Sequence, residues 1–328
     1  MPRFHSAKVN EIIEKRDGLQ KVLLDDGASA YALTEVLGIV EVGDVVVVNT
    51  TAVDLALGTG GWHVVHWIEN RANASQNLKG SVLKARYLSE QTDVSAHVSS
   101  RTGLEGARVL LCLLHSHIGA VAIASASTNL GYVMTDQSAL PLALSDLMQE
   151  LLQENLVSLT ATAGQAFGGH LEVINVPSGV AALLDNHCSQ ILVGAGPGHV
   201  GTASPLGFSG LDLAGHASML SSLGAEVAIC VRASEVDARG RHRGISHHME
   251  TILKAIPTQI EVPVPVGLDA GWVSALGHTP QFLEPLDVAA AVHTAGIDLM
   301  TMTRPLVDDE LACSYLGAAA AWLTGPIR

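Results

Sequence analysis

The chain has 328 residues, more than one average domain, and its 48% hydrophobic and 15% charged content supports a full buried core and excludes long disordered stretches. Its formal net charge of -14 opposes general attraction to phosphate backbones, so no nucleic-acid partner is expected. No apolar run reaches the roughly 18 residues that cross a bilayer, Met1 to Lys8 hold no apolar leader, and Cys112, Cys188, Cys230 and Cys313 are scattered; the expectation is a cytoplasmic protein with no membrane partner and no zinc knuckle.

In chain order, the first segment alternates short β-prone runs with turn signals. Lys8 to Glu14, Gln20 to Leu24, Ser29 to Leu33, Val45 to Val48 and Trp62 to Ile68 read as strands, separated by Asp17-Gly18, Asp26-Gly27 and Gly43-Asp44. They predict a small β-barrel of five or six strands, SH3-like or OB-like in size. The polar segment Asn70 to Leu78 marks the boundary, giving a module over 1–78 and a larger domain over 79–328. Lys84 and Arg86, just past it, read as exposed cations between the domains.

The larger domain alternates apolar runs with helical patterns. Strands are expected at Ala107 to Leu114, Leu130 to Met134, Val157 to Ala163, Gln190 to Val193, Glu226 to Val231 and Gln259 to Val264, and helices at Leu140 to Glu154, Leu171 to Leu184 and Leu211 to Leu223. Continuous apolar strands separated by helices predict an α/β fold, a doubly wound, mostly parallel Rossmann-like sheet. Asp308-Asp309-Glu310 suit the first turn of a last helix reaching about Leu323, whose apolar segment Ala318 to Leu323 fits a homo-oligomer interface or the core equally well.

Ligands of such sheets bind beyond the carboxyl ends of the strands, so the residues after each strand are the candidates. Gly196, Gly198 and Gly201 fit G-x-G-x-x-G after a strand, but Pro205 delays the helix and no acidic residue ends the next strand, which argues against NAD(P). A broader reading makes the backbone N–H groups of Gly196 to Thr202 an anion-binding concavity. His115 and His117 stand two apart at a strand end; in extended chain both face one side, and with Asp136, and His170 or His199, they could hold a divalent metal. Arg239 to His248 concentrates three arginines and three histidines in an acidic protein. Arg241 and Arg243 are candidates for binding an anion, and His242, His247 and His248, with His115 and Asp136, for proton transfer.

The strings Asn49 to Gly61 (NTTAVDLALGTGG), Leu114-His115-Ser116, Tyr132 to Asp136 (YVMTD), Gly164 to Gly169 (GQAFGG), Gly196 to Gly210 (GPGHVGTASPLGFSG) and Arg241 to His248 (RHRGISHH) resemble the domain of unknown function 3866 family over nearly the whole chain. The resemblance implies a bacterial protein and carries no catalytic assignment; Gln165 stands where the family's motif implies histidine. Three functions remain open from the residues: a site for a small anionic, phosphorylated or nucleotide-like metabolite; a metal-dependent hydrolase built on His115, His117 and Asp136; or a non-catalytic binding or scaffold protein.

Overall fold

The computed structural model describes residues 3–326 except 57–59, 72–81, 87, 95–97, 139, 203 and 302. The chain divides into two compact units, Met1–Ser95 and Ala96–Arg328. In the first, β1 (Phe4–Arg16), β2 (Leu19–Leu24), β3 (Ser29–Leu33), β4 (Val45–Asn49) and β5 (His63–Ile68) close into a barrel in the order β1-β2-β3-β5-β4. Gly18 and Gly27 turn its hairpins at φ of 72° and 85°, values that a side chain resists. Alternate residues, among them Val9, Val22, Leu24, Ala30, Ala32, Val46 and Val48, fill the interior. Two register shifts bend the long β1, which pairs with β4 at its start and β2 further on.

The expected boundary segment, beyond Arg71, lies outside the described residues. A short ladder of Leu83–Lys84 with Thr92–Asp93 belongs to the first unit, which therefore runs past residue 78. Lys84 in that ladder is buried, correcting its reading as an exposed cation; Arg86 is exposed.

The second unit is an α/β domain with a Rossmann-like sheet. Its strands are β6 (Arg108–Cys112), β7 (Leu130–Thr135), β8 (Leu159–Thr162), β9 (Leu171–Glu172), β10 (Gln190–Ala195), β11 (Glu226–Ile229), β12 (Glu261–Pro265) and β13 (Thr279–Leu283), all parallel, in the order β9-β8-β7-β10-β6-β11-β12-β13. The central strands are apolar along their whole length because both faces are covered. Val109 and Leu111 of β6 enter one core, with α3 (Val176–Asp185), α4 (Leu213–Ser222) and α5 (His247–Ala255). Leu110 and Cys112 enter the other, with α1 (His115–Ser125), α2 (Asp146–Gln153), α6 (Val288–Ala295) and α7 (Glu310–Thr324). Ala319, Ala320, Trp322 and Leu323 lie in that second core and Ala318 is buried too, so the C-terminal apolar segment is used for packing within the chain. No helix among the described residues is long and apolar enough to cross a membrane.

Local chemistry explains where expectation and structure part. The helix expected from Leu171 begins at Val176, where Asn175 and Ser178 form a reciprocal capping box and Pro177 sits in the first turn; Leu171–Glu172 forms the edge strand instead. Strand β13, TPQFL, carries polar residues and a proline on the other edge, where a missing ladder donor is tolerated.

Topology also opens a crevice along the carboxyl ends of the sheet's strands. The chain leaves β6 through α1 and lands on β7, leaping the position that β10 fills; it leaves β10 through α4 and lands on β11, leaping β6. The two crossovers use opposite faces, so the carboxyl ends of β10, β6 and β11 open into a crevice between diverging loops. Gly194 lets these central strands come together: a Cβ there would lie 2.5 Å from the carbonyl oxygen of Cys112. Tyr132, fully buried, donates its hydroxyl to the Gly194 carbonyl at 3.2 Å. Replacing Gly194 with alanine is expected to overpack this point and lower stability by about 1–3 kcal/mol; urea denaturation measures it, and an unchanged midpoint would contradict the packing described.

Candidate functional site

The chain following β11 folds back on itself. Ala233–Ser234 pairs antiparallel with Gly244–Ile245, and Ser246 N–H donates to the Arg232 carbonyl at 2.9 Å, so residues 14 apart in sequence meet at the strand's carboxyl end. Ser246 starts α5 as its N-cap, accepting from the His248 amide. His247 and His248 therefore stand in the first turn of that helix, while His242 is brought beside them by the short 3-10 turn Gly240–His242.

The three imidazoles form one cluster. Ring centroids of His247 and His248 are 4.2 Å apart, and each lies 5.0 Å from His242. His242 Nδ1 is 2.7 Å from Ser246 Oγ, and Arg241 Nε donates toward His242 Nε2 at 3.4 Å, which leaves the proton of a neutral ring on Nδ1. Phe208 stacks on His248 with centroids 3.9 Å apart and planes 5° apart, fixing that ring. Each of the three offers a ligand atom within 4.8 Å of the others, the one such group of metal-ligating side chains among the described residues.

Arginines surround the cluster. Arg232 is almost completely buried, with Asp237 as counter-charge at 3.7 Å. Asp237 is itself gripped by Arg239 through Nε at 3.0 Å, the terminal nitrogen at 2.9 Å and the backbone amide at 2.9 Å. From the neighbouring loop after β10 comes His199, whose Nδ1 lies 2.9 Å from Ser209 Oγ. Together His199, Arg232, Arg239, Arg241, His242, His247 and His248 line a cavity of about 370 Å³, closed by Gly201, Thr202, Ser204 and Pro205.

This environment keeps the histidines neutral. Burial, reinforced by the charges of Arg232 and Arg239, holds His242 down to about 3. Burial and then His247 and Arg232 bring His248 to about 4, and burial with Arg232 does the same to His199. His247 is lowered by burial and by Arg241. Arg232 is lowered to about 10, burial being the main cause, while the Arg239 hydrogen bonds hold Asp237 well below the usual carboxylate range. His199 Nε2, His247 Nε2 and His248 Nδ1 are buried and have no hydrogen-bond partner among the described residues.

Of the residues picked out from sequence, His242, His247, His248, Arg241, Gly201 and Thr202 converge on this cavity; Arg243 is exposed and does not line it. The His-x-His reading rested on extended chain, and the structure corrects it. Helix α1 begins at His115, so the two side chains diverge: His115 Nε2 sits 2.7 Å from Ser145 Oγ, His117 is buried with Nδ1 3.8 Å from Cys230 Sγ, and Asp136 accepts from the Gln165 amide at 2.9 Å. His170 is engaged by Thr160.

The glycine loop spends part of its own backbone on internal hydrogen bonds. Val200 N–H donates to Ser209 Oγ, Thr202 N–H to the Gly207 carbonyl and Ser204 N–H to Thr202 Oγ1, so these amides are spent inside the loop. A Cβ on Gly196 or Gly198 would come within 2.6 Å of Met134 Sδ or 2.7 Å of Leu140 Cδ1 respectively, and Gly198 also takes a φ of 90°. Sequence reasoning missed Arg232 and Asp237. The available signal was a lone arginine directly after the buried strand run ending Cys230-Val231, a charge that needs a counter-charge nearby.

The lowered histidines set the pH response. Their folded-state values lie below the unfolded value of about 6.5, so the unfolded chain binds more protons between the two. The stability they contribute is complete above about pH 6.5 and is lost as pH falls through it toward 4, the value for His115 and His199. An NMR titration of the ring protons should show both histidines neutral down to about pH 5, with thermal stability declining below about 6.5; midpoints at the free-histidine value would contradict the burial described.

A family model described as "Protein of unknown function (DUF3866)" matches residues 29–321. No curated protein matches the sequence.

Proposed function

Since the chain belongs to the DUF3866 family, whose description names no reaction, we propose from the site itself that the α/β domain binds a small anionic metabolite, phosphorylated or nucleotide-like, in the cavity beyond β10 and β11. One observation carries this reading: three guanidinium groups and four imidazoles line the cavity and, among the described residues, no carboxylate does, in a chain where 32 acidic residues face 18 basic ones. Asp237 offsets one arginine charge from behind the wall. Arg241 has no carboxylate partner among the described residues, and its planar fork matches a phosphate or carboxylate group.

A volume of about 370 Å³ suits a small metabolite. Imidazoles held neutral at physiological pH offer the bound molecule N–H donors and lone pairs. The free thiols of all four cysteines support a reducing, cytoplasmic setting.

Calorimetric titration of inorganic phosphate and pyrophosphate into EDTA-treated protein tests the proposal. Saturable binding is expected. Arg241→Gln should weaken it about tenfold or more, as expected for losing a charge-assisted hydrogen bond worth about 1.5–3 kcal/mol. Absence of binding, or equal affinity in that variant, would overturn the reading.

A further inference from the structure

We propose that His242, His247 and His248 together hold one divalent transition-metal ion, with an open coordination position directed at the arginine side of the cavity. The first support is geometric. Three imidazole nitrogens within 4.8 Å of one another are close to the spacing of a three-histidine site, and small ring rotations would bring them onto one ion.

The second is an accounting of the ring nitrogens. His247 Nε2 and His248 Nδ1 are buried with no partner among the described residues, a state that costs free energy unless something ligates them. A neutral imidazole nitrogen with a free lone pair is a ready ligand for a transition-metal ion.

The third is the surrounding shell. A metal-binding imidazole is normally oriented by a hydrogen bond at its other nitrogen, and Ser246 Oγ serves His242 Nδ1 at 2.7 Å, leaving Nε2 as the nitrogen for a metal. Phe208 fixes the plane of His248 by stacking. Arg241, whose side chain now touches Nε2 at 3.4 Å, is an exposed residue with room to swing toward the open position.

Three arginines beside a bare cation would repel it. The site is therefore built for a metal completed by an anion, and metal and anion should each raise the affinity for the other by the same factor. That coupling rests on the anion-site reading above; the metal site itself does not. Three imidazoles and no carboxylate favour zinc, or cobalt in its place, over calcium or magnesium.

Zinc chloride titrated alone into untagged, EDTA-treated full-length protein in phosphate-free buffer should bind at about one ion per chain. Cobalt should give the visible absorption of a low-coordinate site. His247→Asn and His248→Asn should each weaken zinc at least about tenfold, and Ser246→Ala, which keeps all three ligands, by about ten- to a hundredfold. If the histidine variants lose their circular-dichroism signature, Ser246→Ala decides. No saturable zinc binding, or undiminished binding in these variants, would overturn the metal site. Saturating phosphate should raise zinc affinity in the native protein and not in Arg241→Gln. Phosphate binding without zinc binding would remove the metal and leave the anion site, and the reverse would remove the anion site and leave the metal.

Discussion

The guanidinium of Arg232, buried where β11 ends, is the constraint that organises the site. Withdrawing such a charge from water costs several kcal/mol unless a counter-charge and hydrogen bonds replace the solvent. Asp237 supplies the counter-charge, and its own amide donates to Ser234 Oγ at 3.0 Å. Ser234 in turn reaches Asp309, the N-cap of α7, which also accepts from the Glu235 amide. One continuous polar chain therefore ties the strand end to the cap of the C-terminal helix. Removing Asp237 would leave Arg232 buried without its partner, the costly way to break a buried pair.

That arrangement shares one carboxylate between two arginines, since Asp237 is bonded to Arg239 as well. The remaining positive charge spills into the cavity and joins burial in keeping His199, His242 and His248 neutral. The same residues thus produce an electropositive wall and a set of lone pairs at physiological pH. Those two properties together are what a site for an anion, or for a metal carrying an anion, requires. The place is set by topology, because crossovers on opposite faces open the sheet at β10, β6 and β11.

Much of the fold could be read directly. The four-valine strand, the Asp-Gly turns and the apolar runs at Leu110, Val133 and Leu192 each obey a local rule that the structure obeys too. Edge strands were hidden because Leu171–Glu172 is too short and Thr279–Leu283 too polar to show a pattern. In the site, the arginine and histidine run from Arg239 to His248 was visible as composition, and the rim rule located it. What composition could not supply was direction. Helix α1 starts at His115 itself, where extended chain would have to run through His117, and this separates the two side chains; the hairpin from Ala233 to Ile245, invisible in the residues, closes Arg232 against Ser246. The glycines of the loop after β10 fit an anion cradle and a tightly turned loop equally well in sequence, and the contacts that a Cβ on Gly196 or Gly198 would make with Met134 and Leu140 were invisible there.

The most direct test of the anion site is a crystal structure of the protein soaked in tungstate, a tetrahedral oxyanion whose anomalous scattering locates it without ambiguity. A peak is expected in the cavity with oxygens about 3 Å from the guanidinium groups of Arg232 or Arg241. An oxyanion bound elsewhere, with that cavity holding only water, would contradict it.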